Sequence, residues 1–376
     1  MESKVVEKHI SNLLNWFKTN GWEGWDPYDV KSIPLLRYFE RHPLTFHKKV
    51  GIRVYSHLLD CFPNLSRSIF NIKRDINAKG MGLQLSSYAT LFNSYKDEKY
   101  LHEAKKIAFW LIENHEKNYS GKCWGYPFDW ETCILIPKHT PSSVVSATVG
   151  DGFYRLFEVT QDEQYLDVCK SICKFFIHDL NLSYDKNGIK CKSYTPLDNF
   201  QVHNANLFVA EFLARVGKLS QNQMYQEEAL LLSNFALKQQ QEEGYIPYWG
   251  LDQTKIYSGN KIRFDHYHCG FEIRLLYSLY KLLNTKKLQT SYETYFSFYK
   301  THLFKNGYIP LIRKKSLYPI DIHSCAESIL CRATLLNDHP SEKDNLFVTT
   351  LEDDYKTFLD KNEEKLQNSF DDEHEF

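Results

Sequence analysis

A repeating unit of about sixty residues is the feature that most constrains the fold of this chain. Each unit starts with a helix-forming segment rich in small and apolar residues, continues through a polar turn and ends in an amphipathic helix. Clear copies of the first segment begin at Met81, Ser142, Val202 and His266, and a fifth begins at Asp321. Because one such unit cannot bury its apolar surface alone, the repeat predicts stacked helical hairpins.

The two helix-forming segments of each unit differ in their apolar pattern. A first segment such as "SSVVSATVGDGFYRLFEVTQDEQYL" is apolar on nearly all sides, whereas a second segment such as "QYLDVCKSICKFFIHDL" is apolar on one stripe and charged on the other. This difference predicts an inner and an outer ring. With further helices expected near residues 4–19, within 51–65 and near 343–365, the fold class is an all-α (α/α)6 toroid of about six hairpins.

The segments after the second helices are rich in glycine and aromatic residues. Examples are "NGWEGWDPYD", "SGKCWGYPFDW", "KNGIKCKSY", "EEGYIPYWG" and "KNGYIPLI". They predict short β-like loops that lie together at one rim of the toroid. Because no Ser/Pro linker interrupts residues 1–340, we expect one toroid domain there, followed in 341–376 by the final outer helix and the acidic tail "SFDDEHEF".

Charge and motif content exclude several classes of protein. The 46 Lys and Arg residues balance 47 Asp and Glu residues, so no basic field is present to hold nucleic acid. The N-terminus lacks a signal peptide pattern and no run of eighteen apolar residues occurs, so we expect a cytoplasmic protein with no membrane span. Nine scattered cysteines suit reduced thiols. Without CxxC, HExxH or GxGxxG spacing, we expect no metal and no cofactor.

The predicted rim collects acids, imidazoles, amides and aromatic rings. Indole and phenol faces can stack on sugar rings, amides and imidazoles can bind hydroxyls, and two carboxyl groups can act on a glycosidic bond. The candidate substrate-binding residues are Trp25, Asp26, Asp29, Trp124, Tyr126, Trp130, Asn204, Trp249, His266, Asp321 and His323. The candidate catalytic residues are Asp129, Asp265, His203 and His268.

Simpler roles compete with these assignments. Asp265 stands where a helix begins and is also an ordinary N-cap, and His203 is also suited to a core position with one hydrogen bond. His266 and His268 are two residues apart, so at most one of them is expected to enter a site. Aromatic packing beside Asp129 and Asp265 would raise the pKa of either carboxyl group, as an acid catalyst requires.

Four motifs carry a resemblance to known proteins: "WDPYD", "FDW", "PSSVVSATVGDGF" and "FDHYHCGFEIRLL". With these motifs, most of residues 10–340 resembles the (α/α)6 toroids that act on carbohydrates. They include unsaturated glucuronyl hydrolases, N-acylglucosamine 2-epimerases, glucuronyl C5-epimerases and uronate lyases. The chain looks most similar to bacterial proteins of surface-polysaccharide clusters.

The resemblance implies two kinds of catalytic residue. In the glucuronyl hydrolases an aspartate at the start of an inner helix or in the preceding loop is the general acid and base, and Asp129 and Asp265 hold positions of that kind. In the 2-epimerases histidines on inner helices move a proton at a sugar carbon, and His203, His268 and His323 are similar to these.

The leading expectation is an enzyme that acts on a bacterial surface polysaccharide or its precursor, including a substrate derived from a sugar nucleotide. It would cleave a glycosidic bond by carboxylate acid/base catalysis. Two alternatives stay open: a sugar epimerase or polysaccharide lyase with a histidine proton relay, and a noncatalytic glycan-binding scaffold. The sequence does not indicate the oligomeric state.

Overall fold

The computed structural model of the chain describes residues 2–26, 28–33, 62–258, 263–307, 309–312 and 321–336. This part of the chain is mainly helical, with one 3-10 helix at Asp29–Ser32. The α-helices are α1 (Glu2–Asn20), α2 (Pro63–Ile69), α3 (Ala78–Tyr95), α4 (Glu98–Glu113), α5 (Ser143–Thr160), α6 (Glu163–His178), α7 (His203–Leu219), α8 (Gln223–Gln239), α9 (Leu251–Ser258), α10 (His266–Leu283), α11 (Lys286–His302) and α12 (Ile322–Leu336).

Short strands occur between the helices and form only two-stranded sheets in the described residues. The strands are β1 (Glu23–Gly24), β2 (Asp75–Ile76), β3 (Trp130–Glu131), β4 (Leu135–Ile136), β5 (Leu182–Tyr184), β6 (Lys190–Lys192), β7 (Phe304–Lys305) and β8 (Ile309–Pro310). Each pairs with its neighbour in this order, and the pairs β1–β2, β3–β4 and β7–β8 are antiparallel. The expected helical hairpins with short β-like loops are therefore confirmed.

The chain forms two compact units. Unit 1 consists of Met1–Leu182 and Lys192–Asn199, and unit 2 consists of Ser183–Cys191 and Phe200–Phe376. In unit 1, α3 packs against α4 and α5, and α5 packs against α6. In unit 2, α7 packs against α8 and α10, and α10 packs against α11 and α12. Within each unit, the first helices of successive hairpins thus contact each other, as inner helices do.

Burial distinguishes the two helix types most clearly in unit 2. Most residues of α7 are buried, whereas fewer than half of those in α8 are. The segment α7 carries the sequence "HNANLFVAEFLARVGKL", in which apolar and small residues cover every side. Such a helix loses little polar solvation when neighbours enclose it, so it is suited to the inner position.

A common turn joins the two helices of each hairpin. A residue with positive φ follows the first helix, and the next residue caps the second helix by accepting a hydrogen bond from a backbone N–H of its first turn. The residue pairs are Lys96 with Asp97, Gln161 with Asp162, Gln221 with Asn222, and Asn284 with Thr285. The polar turns of the repeat therefore encode helix starts.

Two glycines allow α3 and α5 to approach closely in unit 1. A Cβ atom at Gly82 would lie 2.8 Å from the Cα of Val149, and one at Gly152 would lie 2.8 Å from the backbone oxygen of Gly82. Both obstacles are backbone atoms, which cannot move aside as a flexible side chain can. The helix pair α3–α5 therefore requires glycine at these positions.

Some of the elements predicted from sequence lie outside the described residues. Of the helix expected within 51–65, residues 51–61 lie outside them, and the described part belongs to α2. The helix near 343–365 and the acidic tail also lie outside. The division into a toroid domain at 1–340 and a final segment at 341–376 stays a prediction. In the described residues, no helix combines the length and apolar character that crossing a membrane requires.

We predict that Gly82→Ala lowers the free energy of unfolding by about 1–3 kcal/mol, because α3 and α5 must move apart. Urea denaturation followed by circular dichroism measures the change. The matched control is Gly80→Ala on the same helix, where a Cβ meets nothing within 4 Å. Alanine there should raise stability by about 0.5–1 kcal/mol. Equal effects of the two variants would contradict the close approach.

Candidate functional site

Unit 1 contains a cavity of about 600 Å³. Its walls come from the loop around β1, the 3-10 helix, the segment before α3, the first turns of α3 and the loop around β3. Its lining includes Trp22, Trp25, Asp26, Asp29, Lys73, Asp75, Asn77, Gln84, Phe128, Asp129 and Lys138. We call this space the unit 1 cavity. It brings together four of the residues proposed from sequence: Trp25, Asp26, Asp29 and Asp129.

Asp29 has a structural role in the wall of the cavity. Its carboxylate forms a two-pronged ion pair with Arg67, in which Nη2 lies 2.9 Å from Oδ1 and Nε lies 3.1 Å from Oδ2. Both side chains are buried. The ion pair joins the 3-10 helix to α2. A buried carboxylate committed to a guanidinium is a poor candidate for substrate binding, in contrast to the expectation from sequence.

Trp25 also has structural partners. Its indole Nε1 donates a hydrogen bond to the Ile72 backbone oxygen at 2.9 Å. The guanidinium of Arg74 lies 4.8 Å from the ring centroid, and that of Arg67 lies 5.7 Å away. These cations take up ring surface that a sugar would need for stacking.

Asp26 and Asp129 are the carboxyl groups proposed from sequence that remain as candidates for chemistry in the cavity, which Asp75 also lines. Burial raises the pKa of Asp26, and the nearby Asp29 acts in the same direction, against the hydrogen bonds that Tyr28 and Asn77 donate. Asp129 is half-buried, and its Oδ1 accepts a hydrogen bond from the Lys138 backbone N–H at 2.9 Å. A raised pKa beside a second carboxyl group is a property of acid catalysts.

The aromatic residues around Asp129 do not all face a ligand. Trp124 is 1 % exposed and donates its indole N–H to the Leu111 backbone oxygen at 3.0 Å, so it belongs to the core. Tyr126 and Trp130 are half-buried and contact each other edge to face at 5.8 Å. From "CWGYPFDW", the segment that reaches the cavity is Pro127, Phe128 and Asp129.

In unit 2, Asp265 and His268 form a hydrogen-bonded pair at the start of α10. Asp265 Oδ1 accepts from the His268 backbone N–H at 3.0 Å, which makes it the N-cap, and Oδ2 lies 2.7 Å from His268 Nδ1. Burial acts to raise the pKa of Asp265, but the charge and hydrogen bonds of His268 outweigh it and hold that pKa below its ordinary value. The expectation of a raised pKa is wrong for Asp265.

Aromatic rings surround this pair. The ring of His268 is 4.2 Å from that of Tyr267 and 4.8 Å from that of Tyr248, measured between centroids. Tyr267 also stacks on His323 at 4.4 Å with an interplanar angle of 15°. Phe271 contacts both imidazoles. We call Tyr248, Asp265, Tyr267, His268, Phe271 and His323 the unit 2 histidine cluster. It joins the starts of α10 and α12, and both imidazoles are half-buried.

The other two candidate histidines lie in the core. His203 and His266 are both 0 % exposed. Burial lowers the pKa of His203 to about 4, although backbone groups of Pro247 and Tyr248 and the side chain of Gln239 act in the opposite direction. Burial and the charge of Arg332 lower the pKa of His266 to about 3. Both imidazoles are therefore core residues in this structure, and their roles at a ligand site stay predictions.

Asn204, Trp249 and Asp321 are the three remaining candidates, and their binding roles stay predictions. Asn204 lies buried in the first turn of α7. Trp249 is half-buried and packs against Phe200 and Tyr257, at 5.4 and 4.7 Å, and against Tyr248 of the unit 2 histidine cluster at 5.3 Å. Asp321 precedes α12 and accepts hydrogen bonds from the backbone N–H and hydroxyl of Ser324. None of these contacts involves the Asp265–His268 pair.

Cysteines and acids provide no metal centre in the part of the chain that the structure describes. No group of three or more His, Cys, Asp or Glu side chains there is arranged to hold a metal ion. No described cysteine forms a disulfide bond, and all are buried except Cys133. Burial raises the pKa of the Cys173 and Cys269 thiols well above the ordinary value, which keeps them protonated.

The candidates proposed from sequence do not include Trp22, Asn77, Gln84 or Phe128. Asn77 was detectable as the N-cap of α3, because it stands directly before the helical pattern. Trp22 and Gln84 had no such signal, since an aromatic residue in a loop and an amide on a helix are common surface features.

Comparison with known proteins shows the fold. No family model matches the chain, and no curated protein matches it. Among solved structures, a cellobiose 2-epimerase from Bacillus thermoamylovorans is similar at 13 % identity and a TM-score of 0.56, over 75 % of this chain and 76 % of that one. A family 76 α-mannanase from Bacteroides thetaiotaomicron is similar at 11 % identity and 0.54, over 73 % and 72 %. A D-mannose isomerase is similar at 14 % identity and 0.51, over 70 % and 71 %.

These likenesses confirm the expected fold class. The chain has the all-α (α/α)6 toroid fold, as the carbohydrate-active enzymes in this comparison do. At these identities the likeness does not carry over a reaction, because proteins of one fold place different residues at their sites.

We predict that His203 makes the protein less stable in mild acid. An unfolded histidine takes up a proton as the pH falls below about 6.5, but folded His203 stays neutral until about pH 4, so unfolding is favoured between these values. The loss from pH 7.5 to pH 5 should be about 2 kcal/mol from this residue. Urea denaturation at both pH values measures it. His203→Gln should reduce the pH dependence by this amount, and an unchanged dependence would contradict the account.

Proposed function

We propose that this protein is a carbohydrate-active enzyme that moves a proton at a sugar carbon next to a carbonyl group, as an epimerase does. His268 is the base in this proposal. The observation that carries it is the hydrogen bond of 2.7 Å between Asp265 Oδ2 and His268 Nδ1. A carboxylate bound to one imidazole nitrogen orients the other nitrogen for proton transfer.

The protonation states follow from the lowered pKa of Asp265. An ionised carboxylate can only accept a hydrogen bond, so His268 Nδ1 carries a hydrogen, and in the neutral imidazole the lone pair is then on Nε2. The hydrogen bonds that the structure shows for this ring all involve Nδ1. Nε2 is therefore the proposed acceptor of the substrate proton. The negative charge of Asp265 would stabilise the imidazolium that forms.

His323 is the proposed partner of His268. Tyr267 contacts both rings, with centroid distances of 4.2 Å to His268 and 4.4 Å to His323. In the proposed reaction, His268 Nε2 removes the proton from the carbon beside the sugar carbonyl, and the electron pair of that bond moves to the carbonyl oxygen as an enediolate forms. Protonated His323 then returns a proton to the other face of the carbon. The configuration inverts and the mass is unchanged.

The comparisons support this proposal only through the fold. A cellobiose 2-epimerase and an enzyme described as a sugar epimerase from a ruminal bacterium share the fold, the second with a TM-score of 0.53. The α-mannanase shares it as well. The fold therefore accommodates proton transfer and hydrolysis, and the residues of the site must decide between them.

Cleavage of a glycosidic bond by Asp129 and Asp265 remains the competing proposal. Asp265 is poorly suited to donate a proton because its pKa is lowered and both carboxylate oxygens bind His268. Asp129 remains a candidate acid or base beside Asp26. A bacterial surface polysaccharide or its precursor as substrate, a cytoplasmic location and the scaffold alternative also stay proposals.

The test is incubation of the purified protein in D₂O with a panel of reducing sugars and bacterial polysaccharides, followed by mass spectrometry and NMR. We expect an epimer that carries one deuterium at the inverted carbon. A product that has gained water would contradict the proposal and favour hydrolysis. Binding without product, or no binding, would also contradict it.

Variants separate the proton-transfer role of the pair from helix capping. We predict that His268→Gln lowers kcat by about 10²–10⁴-fold, the usual effect of losing a general base. Asp265→Asn should lower kcat by about 10–10³-fold while α10 stays intact, because asparagine is an equally good N-cap. Asp162→Asn makes the same change at the cap of α6, and His102→Gln changes an exposed histidine. Both controls should keep wild-type rates. Equal losses in control and test variants would refute the assignment.

A further inference from the structure

We propose that the unit 1 cavity is a binding site for a neutral sugar, with Trp22 as the stacking surface and Gln84 as a hydroxyl acceptor. The site is built from residues of unit 1 alone. It does not depend on the reaction proposed for the unit 2 histidine cluster, and each can fail without the other.

Trp22 offers the aromatic surface that Trp25 lacks. It is half-buried and lines the cavity. Among the described residues, no cation or aromatic ring packs on Trp22, whereas Arg67 and Arg74 lie over Trp25. An indole with an open face on a cavity can stack on the C–H face of a pyranose ring.

Gln84 supplies a polar group that lacks a partner. Its Oε1 is buried, and no described residue donates a hydrogen bond to it. Gln84 lines the cavity from α3. A buried amide oxygen without a donor costs about 1–3 kcal/mol, so a ligand hydroxyl that donates to it removes a penalty that the protein already carries.

Asn77 and Asp26 also line the cavity, and hydrogen bonds fix the orientation of both side chains. Asn77 Oδ1 accepts from the Lys79 backbone N–H at 2.9 Å, and its Nδ2 donates to Asp26 Oδ2 at 2.8 Å. Asp26 Oδ1 accepts from the Tyr28 backbone N–H. These contacts fix the orientation of both side chains before a ligand arrives, which lowers the entropy cost of binding.

The charges in the cavity favour a neutral ligand over an ion. Asp29 is paired with Arg67 inside the protein. Of the remaining groups, the three acids Asp26, Asp75 and Asp129 exceed the two lysines Lys73 and Lys138 by one, and all five line the cavity. Both signs of charge are present, so an anion is not attracted and a cation is attracted only weakly.

The volume of the unit 1 cavity agrees with a neutral sugar as the ligand. At about 600 Å³ the cavity lies within the range of about 300–1,000 Å³ that small-molecule sites occupy. The indole of Trp22 can contact an apolar face of a ligand, and Gln84 Oε1, Asp26 and Asn77 can bind hydroxyl groups. Together they are suited to a polyol with one apolar face.

The test follows the indole N–H of Trp22 by NMR. The protein contains seven tryptophans, so ¹⁵N-tryptophan labelling gives few signals, and Trp22→Phe assigns the relevant one. The probes are glucose, mannose, N-acetylglucosamine and cellobiose as neutral sugars, glucuronic acid as an anion, and choline as a cation. We expect at least one neutral sugar to shift the Trp22 signal saturably, both in the wild type and in His268→Gln.

Matched variants test the two proposed contacts. We predict that Trp22→Ala weakens binding of that sugar by about 10-fold and Gln84→Met by about 3–10-fold. The controls are Trp16→Ala on α1 and Gln164→Met on α6, which make the same changes at exposed positions. They should leave the affinity unchanged. A response to choline or glucuronic acid alone, no response to any probe, or equal affinities in all variants would overturn the proposal.

Discussion

N-capping of the first helices is the interaction on which the rest of the structure depends. Asn77, Ser142, Asp265 and Asp321 each accept a backbone hydrogen bond from the first turn of the helix that follows. An N-cap fixes where a helix begins, and so it fixes the direction of the side chains one to three residues later. In a repeat of hairpins, each cap therefore sets the position of the side chains at one helix start.

Two of these caps also organise the candidate sites. Asn77 caps α3 with its oxygen while its nitrogen holds Asp26 at the cavity. Asp265 caps α10 with one oxygen while the other binds the His268 imidazole. The same side chain thus fixes a helix start and a functional group. Capping by Asp265 is therefore observed, and its contact with His268 is compatible with the chemical role that we propose.

The helical hairpins, their turns and the β-like loops could be predicted from sequence because they depend on local patterns. The alternation of apolar segments is visible in one repeat and returns in the next, and side-chain caps precede the first helices α3, α5, α10 and α12, though not α7. The state of individual side chains could not be predicted in the same way. His203, His266 and His268 all stand at helix starts, yet two are fully buried and the third is half-buried. Trp124 and Trp22 both lie in aromatic loops, and only the three-dimensional packing separates a core indole from one that lines a cavity.

The central claim is that Asp265 sets the tautomer of His268 and leaves Nε2 as a base. ¹⁵N NMR of histidine-labelled protein near pH 8, with His268 assigned by the His268→Gln variant, measures this directly. We predict a protonated Nδ1 and an unprotonated Nε2 in the wild type, with the preference weakened in Asp265→Asn. A His268 that carries its hydrogen on Nε2, or a tautomer that is unchanged in Asp265→Asn, would contradict the account.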